Sequence, residues 1–597
     1  MVQLVLSIPV YTLGLWFFGK SAYHSLLSRV PNMDVLIFMG ASSALFYSIF
    51  GIFYFWGSHE MHTYLFFETG ASIITLVLFG NLLEKRSVKK TTNAIQSLTS
   101  LQVKTAQLIT KNNGEISHSI IAVKLLRKGD LIQVNSGDIV PIDAVVVSGE
   151  AECDESLMTG ESLPIHKQKG KQVIGGALLL NGNLQVSVSV PLKDTILSQI
   201  IELVKKAQAN KPAIQKLGDQ VSAIFVPVVI LISLFTFLFS YLYLEIGSAQ
   251  SMLRAVAVLV ISCPCAMGLA TPTAIMVGIG KAAKRGILIK GGHVLEDFAK
   301  TKKIIFDKTG TLSTGNFSFT QFWAEPNHEV EAQNVMLALE QKSSHPIAKA
   351  FVHEFKDWGN NTLVFTKVEE VKGCGMRAWD AIGNEWQFGS NRWLGKPAEA
   401  SDLLLQKNGN IIAGISLADE LKPGVGELIN YLKEQHVDCV IVSGDSEKKV
   451  QRMALDLNVK EFYAQQLPEE KLALITQWQQ KESLVMVGDG VNDAPALSKV
   501  SVGISFVKGS DIAIQAANLV LMRTDIGGLQ EAHIISKQTY RTIKQNLFWA
   551  FFYNILCIPL AAAGYMHPML GALSMALSDL IVIGNSLLLG LKKVDRR

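Results

Sequence analysis

No Cys-x-x-Cys pair occurs anywhere in the chain. Four of the six cysteines, Cys153, Cys374, Cys439 and Cys557, stand alone, so no disulfide framework is written here. Charge is sparse too. Asp, Glu, Lys and Arg make up 18% of residues and the net charge is +4, which offers no footprint for a nucleic acid. There is no low-complexity stretch, internal repeat or disordered tail. The N-terminal apolar run lacks a basic start and a small-residue cleavage site, which excludes a secretory signal.

What the chain has is apolar length. Of its 597 residues 49% are hydrophobic, and mean hydropathy is +0.28. That is too apolar for a set of soluble domains and too long and charged for a bare membrane bundle. About 20 apolar residues cross a bilayer. Seven runs qualify: residues 1–19, 35–57, 64–83, 220–244, 255–280, 547–566 and 569–591. The soluble segments between them, about 86–215 and 282–544, are edged by Lys85, Arg86, Lys89, Lys90, Lys281, Lys284, Arg285 and Arg541. The positive-inside rule places both in the cytoplasm, together with the C-terminus and its Lys592, Lys593, Arg596 and Arg597. Counting back through seven spans puts Met1 outside.

The first soluble segment reads as β: short alternating strands such as LIQVNSGDIVPIDAVVVSG and LQVSVSV, separated by Gly and Asn turns. The second alternates strands with helices. KKIIFD, DCVIVSGD and SLVMVGDG are apolar strands that each end in a carboxylate. A parallel doubly wound sheet gathers such strand ends into one site.

Asp307, in DKTGT directly after KKIIF, is placed to attack a γ-phosphate and form an acyl phosphate. In GDGVNDAPAL, Asp489 and Asp493 suit Mg²⁺, which takes one or two carboxylates plus phosphate oxygens. Asn492 can hydrogen-bond the phosphoryl group. Ser443 and Asp445 of SGD, with Lys471 neutralising charge, complete a phosphate cradle. Any one of these is ordinarily a solvated loop residue; the set, each at a strand end of one domain, is not.

DKTGT, TGES, SGD and GDGVND, in this order and spacing, resemble the signature set of P-type ATPases along nearly the whole chain. The resemblance implies a multidomain helical membrane protein with a haloacid-dehalogenase-like α/β phosphorylation domain, an α+β nucleotide-binding domain and a β-rich actuator. Asp307 becomes the phosphate acceptor, with Lys308 and Thr309 beside it and Asp307, Thr309, Asp489 and Asp493 around Mg²⁺. Thr159, Gly160 and Glu161 of TGES lie in the actuator, where Glu161 directs the hydrolytic water. The expected organisation is membrane helices over 1–85, actuator over 86–215, helices over 216–283, and the phosphorylation domain in two parts, 284–314 and 417–543. The nucleotide domain, 315–416, lies between those parts, and the last two helices cover 544–592. In metal pumps of this family a His-Pro pair and a Gly-x-Gly loop bind the adenine end of ATP. The matching residues are Glu340, His345, Pro346, Gly373 and Gly375.

Cys263 and Cys265 flank Pro264 inside the fifth span. Proline breaks the helix and frees carbonyls, and thiolates favour soft ions such as Cu(I) or Zn(II) over Na⁺, K⁺ or Ca²⁺. Cys-Pro-Cys resembles the heavy-metal subclass. Its copper pumps carry a Tyr-Asn pair in the penultimate helix and Met-x-x-Ser in the last, matched by Tyr553, Asn554, Met575 and Ser578. Zinc, cadmium and lead pumps place Asp about ten residues before the final helix's Asn; ten before Asn585 stands Met575. A thioether there points to Cu(I), with Ag(I) inseparable by ligand chemistry. Met33, Glu68 and Asp219 best match the Met, Glu and Asp that receive the ion at the cytoplasmic edge, with Met39 a rival for Met33. Gly14–Lys20 resembles the kinked platform on which a copper chaperone docks, though Gly14 and Gly19 are not adjacent as the pattern has them.

In MALSD, Asp579 stands where copper pumps usually carry a second Ser. Met575, Ser578 and Asp579 share one helix face. Either the carboxylate draws the cation off the sulfurs on the release side, or it hydrogen-bonds Asn554 or Tyr553. One family helix and the N-terminal metal-binding domain have no counterpart, as in a truncated or late-starting chain. The expected activity is ATP-driven Cu(I) export by a monomer, in a bacterial inner membrane among its lipids. The alternatives are a zinc or cadmium pump, a membrane-tethered phosphatase, and a metal sensor or channel without turnover.

Overall fold

The computed structural model describes residues 2–595 except 29–30, 57–58, 92–101, 113–114, 156–163, 196, 199–200, 203–212, 264, 344, 359–363, 372–373, 392, 395–400, 508–510 and 524. Thr159, Gly160, Glu161 and Gly373 therefore lie outside the described residues, as do the side chains of Asp219, Cys265 and Pro346.

Among the described residues seven helical segments are long and apolar enough to span a membrane. The first, Val2–Leu27, runs unbroken through Gly14 and Gly19. A Cβ at Gly14 would lie 2.4 Å from Ile74 and one at Gly19 2.9 Å from Phe38, so these glycines let neighbouring helices close in. Helix packing, not a kink, accounts for them. The fifth span is interrupted where expected: Ser248–Ile261 ends just before Cys263 and a second helix, Cys265–Ala283, follows.

The actuator is a seven-stranded sheet whose core is formed by alternate residues of its strands, Ile132, Val134, Val146, Leu184 and Val186 among them. Strand Ala144–Asp154 pairs with Leu178–Val188 and with the short Ile165–Lys167. In sequence, Ala144–Asp154 and Ile165–Lys167 flank the segment that carries TGES. Beside it Lys167 forms an ion pair with Glu155 at 2.7 Å and donates to the Gln172 carbonyl at 2.9 Å, and both side chains of the pair are buried.

The phosphorylation domain is a second seven-stranded sheet, with Lys303–Asp307 at its middle between Asp438–Val442 and Leu484–Val487. All neighbours are parallel except the edge pair Leu519–Leu521 and Ile287–Ile289. Parallel strands covered on both faces need unbroken apolar runs, and Ile304, Ile305 and Phe306 supply one. The nucleotide domain leaves and returns on paired strands, Ser313–Ala324 and Asn410–Leu421, with Ser313 opposite Leu421. Its antiparallel sheet of six strands is covered by helices Glu329–Glu340 and Pro346–Glu354.

Five of the six expected boundaries fall inside single elements, among them 85/86 in helix Phe67–Thr91, 314/315 in strand Ser313–Ala324 and 416/417 in strand Asn410–Leu421. Residues 215/216 lie within helix Ala213–Leu242 and 543/544 within helix Gly527–Ala562. The latter packs Leu529, Ile535 and Ile543 into the phosphorylation core before it becomes a membrane span. Ile279, Ala282 and Ala283, at the cytoplasmic end of the Cys265 helix, enter the same core. Composition alone puts a border where polarity changes, whereas the backbone hydrogen-bond ladder continues across it.

Candidate active site and metal path

Three adjacent parallel strands end side by side, which brings Asp307, the Ser443–Asp445 turn and the Asp489–Asp493 loop to one edge of the sheet. They line a cavity of about 430 Å³ with Thr309, Lys471 and Asn492. Lys471, buried in the first turn of helix Pro468–Gln479, donates to Asp307 Oδ1 at 2.5 Å and to Asp493 Oδ1 at 3.2 Å. Burial and the charge of Asp493 push the Asp307 carboxyl up to about 6, against the pull of Lys471. Asp489 is also raised, first by burial, with Lys422 opposing.

Three carboxylates thus line one cavity, with Lys471 on Asp307 and Asp493 and Lys422 opposite Asp489, and like charges so placed repel unless cations offset them. Asp307, Asp489 and Asp493 offer oxygen donors of the type Mg²⁺ takes, although among the described residues no three such groups stand together as a ready-made ion site. Gly310 permits the approach of Asp489. Its φ of 72° suits glycine, and a Cβ there would fall within 2.7 Å of the Asp489 carboxylate.

Two of the expected site residues make contacts within the SGD turn. The buried Lys308 ammonium pairs with Asp445, which lines the same cavity, and so orders that turn. The Ser443 hydroxyl accepts the Asp445 amide at 3.2 Å. Sequence reasoning missed Lys422, whose ammonium reaches the Gly310 carbonyl and lies over the Phe506 ring. It sits where the chain re-enters the phosphorylation domain, a position that is its one sequence signal.

In the nucleotide domain Glu340 ends one helix and His345 caps the next. Ser343 N donates to the Glu340 carbonyl at 3.1 Å, and His345 N to Ser343 Oγ at 3.2 Å. Burial, then the charge of Glu370, pushes Glu340 up to about 7. A group held there near neutrality can donate as well as accept, which suits an adenine edge. His345 Nδ1 accepts the Ile347 amide, leaving Nε2–H to point outward. Gly375 has a reason within the sheet: a Cβ would meet the Phe388 carbonyl at 2.2 Å. Its partner Gly389 is equally crowded against Cys374, so this glycine serves the strand pair directly.

In the membrane, Cys263 is fully buried, and its carbonyl accepts the Tyr553 hydroxyl at 2.7 Å. Metal ligation by Cys263 requires the reduced thiolate. Met575 shares an apolar core with Cys263, Val256 and Val260. The last helix approaches because Gly571 has no side chain: a Cβ there would lie 2.1 Å from Ile261. Gly571, Met575, Ser578, Asp579, Val582 and Ser586 form its buried face. Asn554 Nδ2 donates to the Ala550 carbonyl, while its buried Oδ1 has no donor among the described residues. A buried carbonyl oxygen without a donor is suited to a cation.

About two turns along the helices, a polar ladder missed in the sequence ties three of them together. Asn546 donates to the Ala270 carbonyl and to Ser586, which also meets Thr273 at 3.0 Å. Lys281 then caps the last helix by donating to the Leu589 and Lys592 carbonyls at 3.1 and 2.7 Å.

The ion-receiving trio is not brought together. Met33 opens a 22-residue helix whose far end leads to the helix beginning at Phe67. Glu68 therefore lies across the membrane from Met33, about 33 Å away at 1.5 Å per residue. Asp219, early in helix Ala213–Leu242, stays on the Met33 side. Glu68 is exposed at the outer edge and is withdrawn from the receiving group.

A family model described as haloacid dehalogenase-like hydrolase matches residues 301–500, and one for the P-type ATPase actuator domain matches residues 100–205. A copper-exporting P-type ATPase of Staphylococcus haemolyticus is 38% identical over 98% of this chain and 75% of its own length. A probable copper-importing P-type ATPase A of Enterococcus hirae is 37% identical over 100% of this chain and 82% of its own. The solved structure of a zinc-transporting PIB-type ATPase in an E2.Pi state superposes with a TM-score of 0.62 at 27% identity. It covers 98% of this chain and 95% of that one.

Proposed function

The chain belongs to the P-type ATPases, and we propose that it moves Cu(I) out of the cytoplasm, driven by ATP through an aspartyl phosphate on Asp307. The observation that carries this reading is the pairing of two sites in one chain. A nucleophilic carboxylate is gripped by Lys471 at a strand end, and a buried cysteine, its backbone carbonyl bonded to Tyr553, shares an apolar cluster with Met575 inside the membrane.

Asp307 Oδ attacks the γ-phosphorus as the bond to the β–γ bridging oxygen breaks and ADP leaves, while Lys471 offsets charge gathering on the transferred oxygens. Lys471 also touches Asp493, so it stays fixed when Asp307 becomes esterified. Mg²⁺, when bound, would screen the phosphate oxygens from these carboxylates. Glu340 and the outward Nε2–H of His345 hold the adenine end, and Glu161 serves as base for the water that hydrolyses the acyl phosphate. Cys263, Cys265, Met575 and the Asn554 oxygen hold the ion, a soft set that favours Cu(I). Met33 and Asp219, at the cytoplasmic edge, receive it. A cytosolic metal chaperone as donor is compatible with the exposed Trp16–Lys20 face of the first helix.

The direction follows from the receiving side facing the ATP-binding domains. The Staphylococcus relative is named an exporter and the Enterococcus relative a probable importer, so direction is what the experiment must decide. Inside-out vesicles holding the purified chain should accumulate Cu(I) on addition of ATP. Uptake by right-side-out vesicles alone, with ATP inside, would reverse the direction, and uptake in neither would remove the transport reading.

A further inference from the structure

The last membrane helix places an acid on the face that meets the sulfur site. Gly571, Met575 and Asp579 follow one another at i, i+4 and i+8, and all three are buried. The close approach of Gly571 to Ile261, two residues before Cys263, fixes that face toward the broken span. Met575 is 1% exposed and Asp579 5%, so neither turns to lipid. Asp579 also lies close enough to Tyr553 for a charge interaction, and Tyr553 is hydrogen-bonded to the Cys263 carbonyl.

We propose that Asp579 supplies a carboxylate oxygen to the transported ion, and that the site therefore takes a borderline divalent cation, Zn(II) or Cd(II), as well as Cu(I). This rests on the reading of the Cys263 region as the transport site. Two thiolates and one carboxylate bring three negative charges. A monovalent ion leaves two of them uncompensated in a low-dielectric site, and a divalent ion leaves one. Carboxylate oxygen and thiolate sulfur together form an ordinary Zn(II) donor set, whereas Cu(I) gains little from the oxygen. The neutral Asn554 oxygen completes a mixed shell without adding charge. Met575 still supplies the thioether that Cu(I) prefers, so the acid widens selectivity without replacing the soft ligands.

The test is ATP-dependent phosphoenzyme formation by the reduced full-length chain in lipid, with Cu(I), Zn(II) or Cd(II) added singly. Wild type, Asp579→Ser and Asp579→Asn are compared, with phosphorylation from inorganic phosphate as the check on folding. Wild type should respond to all three ions. In both variants the half-activating concentration of Zn(II) should rise at least tenfold more than that of Cu(I). Asn should behave like Ser, since neither carries the charge. A wild-type response to Cu(I) alone overturns the inference and leaves the copper reading standing, as does an equal shift for all ions in the variants. A wild type that answers to no metal removes the transport site itself, and the inference with it.

Discussion

The phosphorylation site and the membrane site are built on opposite principles. Around Asp307 each side chain is held by charge: Lys471 bridges Asp307 and Asp493, Lys308 pairs with Asp445, and Lys422 reaches Gly310. Around Cys263 the neighbours are Val256, Val260 and Met575, and the polar groups are a hydroxyl, an amide and an acid spread over two other helices. A charged site in a water-filled cleft can be assembled from side chains that find one another. A site in lipid is positioned by helix packing, because unpaired charge there costs too much to wait for a ligand. The first should fail through lost chemistry, and the second through lost geometry as well.

That contrast breaks most sharply at the nucleophile. Asp307→Asn should give no acid-stable, hydroxylamine-labile phosphoenzyme from either ATP or inorganic phosphate, a complete loss read by radiolabelled phosphate. Label retained on the Asn variant would remove Asp307 from the mechanism. Next comes Cys263→Ser, which should lose metal-stimulated phosphorylation from ATP while keeping phosphorylation from inorganic phosphate, a step that needs no bound ion. Loss of both would show that the two sites do not separate as argued. The smallest effect belongs to packing. Gly571→Val leaves every donor atom in place but forces the last helix away from Ile261. It should raise the half-activating metal concentration about tenfold, or about 1.4 kcal/mol of site geometry. An unchanged value would mean that the helix spacing there is not what holds Met575 in position.

The same contrast explains what the sequence discloses. Phosphoryl chemistry is carried by short contiguous motifs at strand ends, so Asp307, Ser443, Asp489 and Asn492 could be found by reading along the chain, and the structure gathers them into one cavity. Partnership was harder to see: nothing local says that Lys308 answers Asp445, or that Lys422 will lie near Asp489. The membrane donors come from three separate segments. Cys263 shows itself through the proline beside it, while Asn546, Ser586 and Thr273 look like incidental polar residues until three helices are packed. Glu68 went astray because a carboxylate near a span end has a side only once the direction of each helix is counted. The actuator ion pair was silent as well. Glu155 and Lys167 are ordinary surface residues by type, and only the pairing of Ala144–Asp154 with Ile165–Lys167 buries them together.

Helix Gly527–Ala562 belongs to both regions at once. It has no joint between its cytoplasmic turns, set in the phosphorylation core, and the Tyr553–Asn554 turn beside the metal site. The helix runs about 40 Å from Gly527 to Asn554, so a tilt of about five degrees at one end swings the other by about 3.5 Å. A displacement of that size exceeds any metal–ligand bond length, and Lys281 holds the Cys265 helix and the last helix to the same stalk through Gln538. Esterifying one aspartate can thus dismantle an ion's coordination sphere far away by leverage, with no signal relayed from residue to residue.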